Sequence, residues 1–127
     1  MEIRKGIATD LKALQKSFIR AKDMSVCSFN SNYMYIVEDK GKIIAFLYGD
    51  KTENSCAGIL LELEVLQSYR NKKVATNLIK KFEEDLKQEN CSGILVFYSF
   101  NENLYQFYNK VGFKSGDTLL AGLKEIE

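Results

Sequence analysis

The sequence predicts an α/β fold in which a mixed sheet carries helices on both faces. One observation is a set of short alternating, aromatic or β-branched runs, typical of strands, over 33–38, 43–48 and 59–66. A second is an apolar stripe at helical spacing from Val74 to Leu86. A third is the almost unbroken apolar run 94–98, as expected of a strand buried on both faces. The full order is predicted to be β-α-β-β-β-α-β-α-β-β.

A short strand and an amphipathic helix are predicted to open the chain. Glu2–Ile7 alternates weakly between polar and apolar residues. Thr9 and Asp10 are good capping residues for the helix that follows. Its apolar positions recur at helical spacing: Leu11, Leu14, Phe18 and Ile19. The helix is therefore expected to end near Lys22.

A hairpin follows the first helix. The strands Tyr33–Glu38 and Ile43–Tyr48 flank the turn Asp39–Lys42, whose Asp-Lys-Gly sequence is a hairpin signal. Two polar segments without periodicity, Asp23–Asn32 and Gly49–Gly58, lie on either side of this hairpin. The first is predicted to be a loop or a single irregular turn, and the second a loop or hairpin tip.

The strand Ile59–Leu66 and the helix after it form the centre of the chain. Alternation places Leu61, Leu63 and Val65 on one side of the strand. It places Glu62, Glu64 and Leu66 on the other side. The helix begins near Val74, ends at Asn90 and buries one stripe: Val74, Leu78, Phe82 and Leu86.

A buried strand, a short helix and two strands are predicted for the C-terminal part. The buried strand extends from Ser92 or Gly93 to Ser99. Asn101 or Asn103 caps the helix, which Gly112 stops. Its apolar residues are Leu104, Phe107, Tyr108 and Val111. A short strand from Phe113, a Ser-Gly-Asp turn at 115–117 and a last strand over 118–126 complete the prediction.

Composition places the chain among ordinary globular proteins. Its 127 residues suffice for one domain, 1–127, and a net charge of +1 requires neither nucleic acid nor an acidic membrane as partner. No apolar run approaches the ~20 residues of a membrane span, and the first residues lack the apolar region of a signal peptide. A cytoplasmic location is therefore expected.

The residue types present restrict the chemistry. Histidine is absent, and the three cysteines, Cys27, Cys56 and Cys91, are far apart. No metal site is therefore predicted, and every histidine-based catalytic triad is excluded. Proton transfer in an enzyme of this composition would fall to carboxylates, Tyr, Cys, Lys or the backbone.

The loop Gln67–Lys73 carries three cations immediately before a helix. The N-terminus of a helix attracts anions and mildly disfavours cations. Arg70, Lys72 and Lys73 therefore indicate that a negative ligand binds there. A solvated basic turn without a ligand is an equally good interpretation of the local sequence.

Two glutamates lie on one side of the central strand. If that side is covered, the carboxylates of Glu62 and Glu64 cost several kcal/mol unless they are paired or hydrated. A water-lined cleft would relieve that cost and leave one of them as a candidate general base. Alternatively, the face is open and both glutamates are simply solvated.

The span Leu61–Phe113 resembles the GCN5-related N-acetyltransferases (GNAT), which are small acyl-CoA-dependent transferases. Their first signature is a strand ending in Val and an Arg/Gln-x-x-Gly-x-Gly/Ala loop that opens a helix. Its counterparts here are Val65, Tyr69, Arg70 and Ala75, with Asn71 and Lys72 as the free positions. Their second signature corresponds to Asn101, Phe107, Tyr108, Gly112 and Phe113. The resemblance implies a GNAT-like, mostly antiparallel sheet of about six to seven strands.

The resemblance also implies which residues hold acetyl-CoA, the cosubstrate of the family. The backbone of Val65, Leu66 and Gln67 would pair with the pantetheine arm like an additional strand. Asn101 would contact the same arm. The pyrophosphate would lie on the loop and helix start, which comprise Arg70, Asn71, Lys72, Lys73, Val74 and Ala75.

Catalytic roles follow from the same resemblance. Tyr108 would lie beside the sulfur and reprotonate the thiolate. Glu62 occupies the position three before Val65, where many family members have an acidic residue near the acceptor amine; Glu64 is the second candidate. A backbone N–H in a bulge of the fourth strand would polarise the thioester carbonyl. For Tyr108 the alternative is a packed aromatic residue, although Leu104 and Phe107 already provide an apolar stripe.

The implied function is acetyl transfer to a primary amine of a small molecule or peptide, by a monomer or homodimer. The acceptor pocket would be lined by Asp23–Asn32, Gly49–Gly58 and the C-terminal strands. The alternative is a non-catalytic acyl-CoA-binding or regulatory module with the same fold.

The chain departs from the family pattern at two positions. Lys73 replaces the first glycine of the loop, and Gln67 stands where proline is frequent. Glycine there lets the backbone approach phosphate and adopt strained angles. Lys73 either crowds the phosphate or contacts it with its ammonium.

Overall fold

The computed structural model describes residues 1–53, 57–99 and 101–114, which contain five strands and three α-helices. The elements are β1 (Glu2–Lys5), α1 (Leu11–Ser17), β2 (Tyr33–Asp39), β3 (Lys42–Lys51), β4 (Ala57–Val65), α2 (Val74–Gln88), β5 (Gly93–Val96) and α3 (Glu102–Lys110). Short 3₁₀ turns lie at Ala8–Asp10, Ile19–Ala21, Val26–Asn30 and Gln67–Tyr69. No helix in this described part is long and apolar enough to cross a membrane.

The chain divides into two compact units. The first, Met1–Phe97, contains the whole described sheet together with α1 and α2. The second begins at Tyr98, and its described residues contain α3.

The sheet is mixed, with strand order β1-β2-β3-β4-β5. The first four strands are antiparallel neighbours, whereas β4 and β5 are parallel because the chain crosses over through α2 between them. The predicted order of elements is confirmed from β1 to α3. The five strands described are fewer than the six to seven expected: Phe113 and Lys114 are not in a strand, and 115–127 lie outside the described residues.

Helices cover both faces of the sheet, as predicted, because alternate residues of β2 point to opposite sides. Met34 and Ile36 face the α1 side, where Phe18 packs edge-to-face on Phe46 with ring centroids 5.2 Å apart. The remaining buried members of this cluster are Leu14, Ala21 and Met24.

Helix α2 packs on the opposite face. The ring of Phe82 lies 5.4 Å from that of Tyr33 and 6.2 Å from that of Tyr35. Burial of one such apolar side chain stabilises the fold by about 1.5–3 kcal/mol. The hydroxyl of the fully buried Tyr35 donates to Asp85 Oδ2 at 2.7 Å, which satisfies its polar end. The predicted stripe of α2 is confirmed, and the helix ends at Gln88, close to the predicted Asn90.

The first helix is shorter than predicted. It ends at Ser17 rather than near Lys22, because Phe18 is extended and the chain then forms the separate turn Ile19–Ala21. Asp10 precedes the helix, but its carboxylate does not cap it. It accepts two bonds of 2.9 Å from Arg4 and one from the Ile7 N–H, and the Arg4 bonds lower the pKa of Asp10.

Loop boundaries also differ from the prediction. Strand β3 continues to Lys51 and β4 begins at Ala57, so both ends of the predicted loop Gly49–Gly58 belong to strands. Within Asp23–Asn32 the 3₁₀ turn Val26–Asn30 is the single irregular turn that the sequence predicted.

The expectation that the run 94–98 forms a strand buried on both faces is wrong. Strand β5 ends at Val96, Leu95 is 44% exposed and Phe97 is 56% exposed. Within the described residues β5 pairs with β4 alone. An unbroken apolar run does not by itself show that both faces of a strand are buried.

We expect Gly49→Ala to destabilise the protein by about 1–3 kcal/mol, because it overpacks a filled core. A Cβ at Gly49 would lie 2.5 Å from Phe82 Cζ and 2.9 Å from the Ile59 carbonyl oxygen. Urea denaturation monitored by circular dichroism measures the change. Gly93→Ala is the matched control, because a Cβ there meets no atom within 4 Å. Equal stabilities of the two variants would contradict this account of Gly49.

Candidate functional site

Strand β4 contains a bulge at Leu61. Tyr48 of β3 faces Glu62 and Gly49 faces Leu60, so Leu61 between them has no partner in β3. Its side chain is 44% exposed. The additional residue interrupts at this point the alternation that places Leu61 on one side of the strand with Leu63 and Val65.

In the described part of the chain, the second half of β4 has no strand partner on the side away from β3. Strand β5 pairs only with Ala57–Leu60, and no other described strand pairs with Leu61–Val65 on that side. The Leu66 N–H donates to the Ile44 carbonyl at 2.9 Å, and antiparallel bonds recur at every second residue. The backbone groups of Leu63 and Val65 consequently point toward this unpaired side. An extended ligand can add to such a strand edge by main-chain hydrogen bonds.

Local contacts already use all three of the predicted pantetheine-binding carbonyls. The Val65 oxygen accepts from Arg70 Nε at 3.1 Å, and the Leu66 oxygen accepts from the Tyr69 N–H at 2.8 Å. The Gln67 oxygen accepts from the Arg70 N–H at 3.2 Å. Arg70 thus stabilises the end of β4 and the turn after it. The Val65 N–H is not used by these contacts. The register directs it to the side of β4 that faces away from β3.

A hydrogen bond from Tyr69 connects the basic loop Gln67–Lys73 to the end of β2. The Tyr69 hydroxyl donates to Asp39 Oδ2 at 3.0 Å, and this bond raises the pKa of Tyr69. The ammonium of Lys72 lies 5.5 Å from the centre of the Tyr69 ring, within cation–π distance. These contacts hold the loop in front of α2.

Two residues of the loop have left-handed backbone angles. Asn71 has φ 65° and Lys73 has φ 62°. Asparagine tolerates this region, but a lysine there costs about 1–3 kcal/mol. This conformation explains why glycine suits the position that Lys73 occupies.

The N-terminus of α2 has the properties of an anion site. Lys73 is its N-cap and supplies no side-chain cap, and the first turn contains no acidic residue. The Asn77 N–H bonds to the Lys73 carbonyl at 2.9 Å, so the N–H groups of Val74, Ala75 and Thr76 precede the first intrahelical bond. Their dipoles favour a negative group in front of the helix.

Glu62 and Glu64 lie on one face of β4, as predicted, and both approach Arg20 of the turn Ile19–Ala21. The Arg20 backbone N–H donates to Glu64 Oε1 at 2.9 Å. Arg20 Nη1 lies 3.5 Å from Glu62 Oε2, an oxygen that is covered and lacks a hydrogen-bond partner in the described part of the chain. Burial raises the pKa of Glu62, Arg20 opposes that effect, and Glu64 adds to it. The carboxylates of Glu62 and Glu64 are therefore half-buried and in contact with Arg20, rather than simply solvated.

Two of the three segments predicted to line an acceptor pocket contact each other through one hydrogen bond. The Ser31 hydroxyl donates to the Gly49 carbonyl, which joins Asp23–Asn32 to the end of β3. The third predicted lining, the C-terminal strands, lies outside the described residues apart from 113–114.

In the second unit, Asn101 is the N-cap of α3. Its Oδ1 accepts from the N–H groups of Asn103 and Leu104 at 2.9 and 3.2 Å, so Asn101 rather than Asn103 caps the helix. Because the cap uses this oxygen, the predicted contact to a pantetheine arm would have to use the amide nitrogen.

Tyr108 is the buried side chain of α3. It is 6% exposed, and its ring lies 4.8 Å from that of Tyr98 and 5.4 Å from that of Phe113. Leu104 and Phe107, which were expected to form the apolar stripe, are only half-buried. Gly112, with φ 105°, ends the helix as predicted.

Arg20 is the residue at this site that the sequence interpretation missed. It lies 42 positions before Glu62 in the chain, inside a segment assigned to an ordinary helix, and no motif marks it. Only the tertiary fold brings it to β4. Among the described residues, no group of acidic or cysteine side chains could hold a metal ion.

Comparison with known proteins identifies the same family. The model of the acetyltransferase (GNAT) family matches residues 4–113. No curated protein matches the chain. Among solved structures, an aminoglycoside 6'-N-acetyltransferase from Acinetobacter haemolyticus aligns over 100% of both chains with TM-score 0.78 and 21% identity. A similar enzyme from Acinetobacter baumannii aligns over 99% of both chains (TM-score 0.77, 17% identity). Ard1 from Thermoplasma volcanium aligns over 89% of this chain and 82% of its own (TM-score 0.76, 16% identity).

We expect Lys73→Gly to stabilise the protein by about 1 kcal/mol, because glycine adopts positive φ without steric cost. Urea denaturation again gives the measurement. Lys72→Gly is the matched control, since Lys72 is not among the residues with positive φ. It removes the same charge but should lower stability by about 0.5–1 kcal/mol through the unfolded chain. A Lys73→Gly variant no more stable than Lys72→Gly would contradict the strain at Lys73.

Proposed function

The chain belongs to the GNAT family of acetyltransferases, and we propose that it transfers an acetyl group from acetyl-CoA to a primary amine by direct attack. The observation that carries the proposal is the arrangement of β4 and α2. A bulged strand, whose second half has no partner beyond β3 among the described strands, leads through one basic loop into a helix N-terminus without an acidic cap. We propose that residues 1–127 act together as one such catalytic domain.

Two parts of acetyl-CoA, the pyrophosphate and the pantetheine arm, would each bind one element of this arrangement. The pyrophosphate would accept hydrogen bonds from the first N–H groups of α2, close to Lys72 and Lys73. The pantetheine amides would pair with the unpaired edge of β4, with the Val65 N–H as a donor. We assign Arg70 to loop stability rather than to phosphate binding, because its Nε donates to the Val65 carbonyl.

The chemistry is acyl transfer at a thioester. Glu62, directly or through water, takes a proton from the ammonium of the acceptor, and the free amine attacks the carbonyl carbon. A backbone N–H at the Leu61 bulge stabilises the oxyanion that develops. Collapse of the tetrahedral intermediate breaks the carbon–sulfur bond, and Tyr108 gives a proton to the thiolate. The tyrosinate then regains a proton from the former amine nitrogen, directly or through water, which leaves a neutral amide. The products are the N-acetylated amine and free CoA.

The acceptor is proposed to be an amine of a small molecule or peptide. Enzymes named for aminoglycoside N-acetylation share the fold, which favours a small cationic acceptor. The carboxylates of Glu62 and Glu64 suit a substrate that arrives as an ammonium ion.

A non-catalytic acyl-CoA-binding module is the second candidate. The burial of Tyr108 among aromatic rings favours it, because a packed tyrosine can serve the fold alone. It predicts cofactor binding without thiol release.

Two measurements on the full chain test the proposal. Acetyl-CoA and free CoA should each raise the melting temperature, since a ligand that binds only the folded state stabilises it. Thiol release from acetyl-CoA, assayed across small amines and peptides, should identify an acceptor. No thermal shift at millimolar acetyl-CoA would refute cofactor binding, and a shift without thiol release would select the binding module.

We expect Tyr108→Phe to lower kcat by at least about tenfold while the affinity for acetyl-CoA stays nearly constant, because only the proton donor is lost. Steady-state kinetics and calorimetric titration with acetyl-CoA give the two quantities. Tyr105→Phe removes a hydroxyl from the same helix and serves as the control. Unchanged turnover in Tyr108→Phe would remove Tyr108 from the role of acid.

A further inference from the structure

The backbone of Arg20 is anchored, although its side chain is not. Phe18 is 1% exposed and Ala21 is fully buried, and both belong to the cluster under α1. These neighbours hold the turn Ile19–Ala21 against the sheet. The Arg20 side chain is 51% exposed, so its own packing contributes little to that position.

Arg20 approaches the two carboxylates of β4 through different atoms. Its backbone N–H donates to Glu64, whereas its guanidinium lies near Glu62. Replacing the side chain therefore leaves the Glu64 bond in place and alters the surroundings of Glu62 alone. A substitution at Arg20 therefore tests the contact with Glu62 without removing the hydrogen bond to Glu64.

The carboxylate of Glu62 is incompletely satisfied. Its Oε2 is covered and has no hydrogen-bond partner among the residues that the structure describes, and Nη1 of Arg20 lies 3.5 Å away. Among the described residues, the charged and titratable groups around it are Arg20 from the turn, Glu64 two positions along β4, and Tyr48 directly opposite on β3. Arg20 is the cation among them. Without it, the half-buried carboxylate would face another carboxylate and a phenol.

We propose that Arg20 is a positioning residue for acetyl transfer, whose guanidinium keeps the carboxylate of Glu62 ionised and oriented toward the bulge of β4. This inference rests on the proposed function, in which Glu62 takes the proton from the acceptor. The side chain of Arg20 touches neither the thioester nor the amine, and it acts only through Glu62.

The direction of the pH effect follows from the charges. Glu62 acts as a base only when it is deprotonated, so activity is lost as the pH falls through its pKa. Burial and Glu64 raise that pKa, whereas Arg20 lowers it. Removing the guanidinium therefore raises the pKa of Glu62 further and moves the acidic limb of kcat/KM to higher pH.

The test compares Arg20→Gln, Arg20→Lys and the control Lys16→Gln, which removes an exposed positive charge from α1. Two readouts are used with the full chain. The first is the titration of the Glu62 carboxyl carbon by NMR without substrate, assigned by its loss in Glu62→Gln. The second is the pH dependence of kcat/KM. It is measured with an amine that supports thiol release in the assay of small amines and peptides described above.

In Arg20→Gln the Glu62 titration should move to higher pH, and kcat/KM on the acidic limb should fall about two- to fivefold, the size expected of a half-exposed ion pair. Arg20→Lys should restore both readouts for the most part, and Lys16→Gln should change neither. Urea denaturation should give similar stabilities for all three variants, because the backbone bond to Glu64 remains.

Each adverse result has a separate meaning. An NMR titration of Glu62 that is the same in Arg20→Gln and the unmodified protein overturns the role of Arg20, even if the enzyme is active. A titration that moves while the acidic limb stays fixed shows that Glu62 is not the base, which also overturns the inference. Absence of thiol release with every amine instead refutes the proposed function, while the NMR titration still reports the Arg20–Glu62 pair.

Discussion

One additional residue in β4, Leu61, determines how the rest of the site is arranged. Because it has no partner in β3, the alternation of side chains shifts at this point. Leu60 and Leu63 can then both face the α2 side, while Glu62 and Glu64 face the turn Ile19–Ala21. A regular strand would place Leu60 on the same side as the two glutamates. The bulge thus separates an apolar helix-packing face from a face that carries carboxylates.

The loop after β4 continues this arrangement. Arg70 and Tyr69 use side-chain bonds to the Val65 carbonyl and to Asp39, so the chain turns sharply and enters α2 in a defined direction. The left-handed angles at Asn71 and Lys73 complete the turn at a cost in backbone strain. Strain of this kind at a helix N-terminus is typical of a position where the backbone meets a ligand. The strain at Lys73 therefore lies at the helix N-terminus to which we assign the pyrophosphate in the proposed function.

Sequence patterns predicted the elements of the first unit because their periodicities are strong. The stripe of α2 was confirmed, since burial of one side of a helix places apolar residues at helical spacing in the sequence. The aromatic and β-branched run 33–38 was confirmed as strand β2. The patterns failed where a residue serves a distant partner. Asp10 was expected to cap a helix but binds Arg4, and the apolar run of β5 was expected to be buried on both faces, but Leu95 is 44% exposed. Local composition does not report which distant residues cover a side chain or bind it.

The sequence by itself determined the family, the order of elements and the loop that precedes α2, because these depend on residue types at fixed spacing. The tertiary structure decided the rest. It placed Arg20 beside Glu62, inserted the bulge at Leu61 and set Lys73 in a left-handed conformation. These features depend on contacts between residues far apart in the chain, or on backbone angles that the neighbouring elements impose. Neither leaves a periodic signal in the sequence.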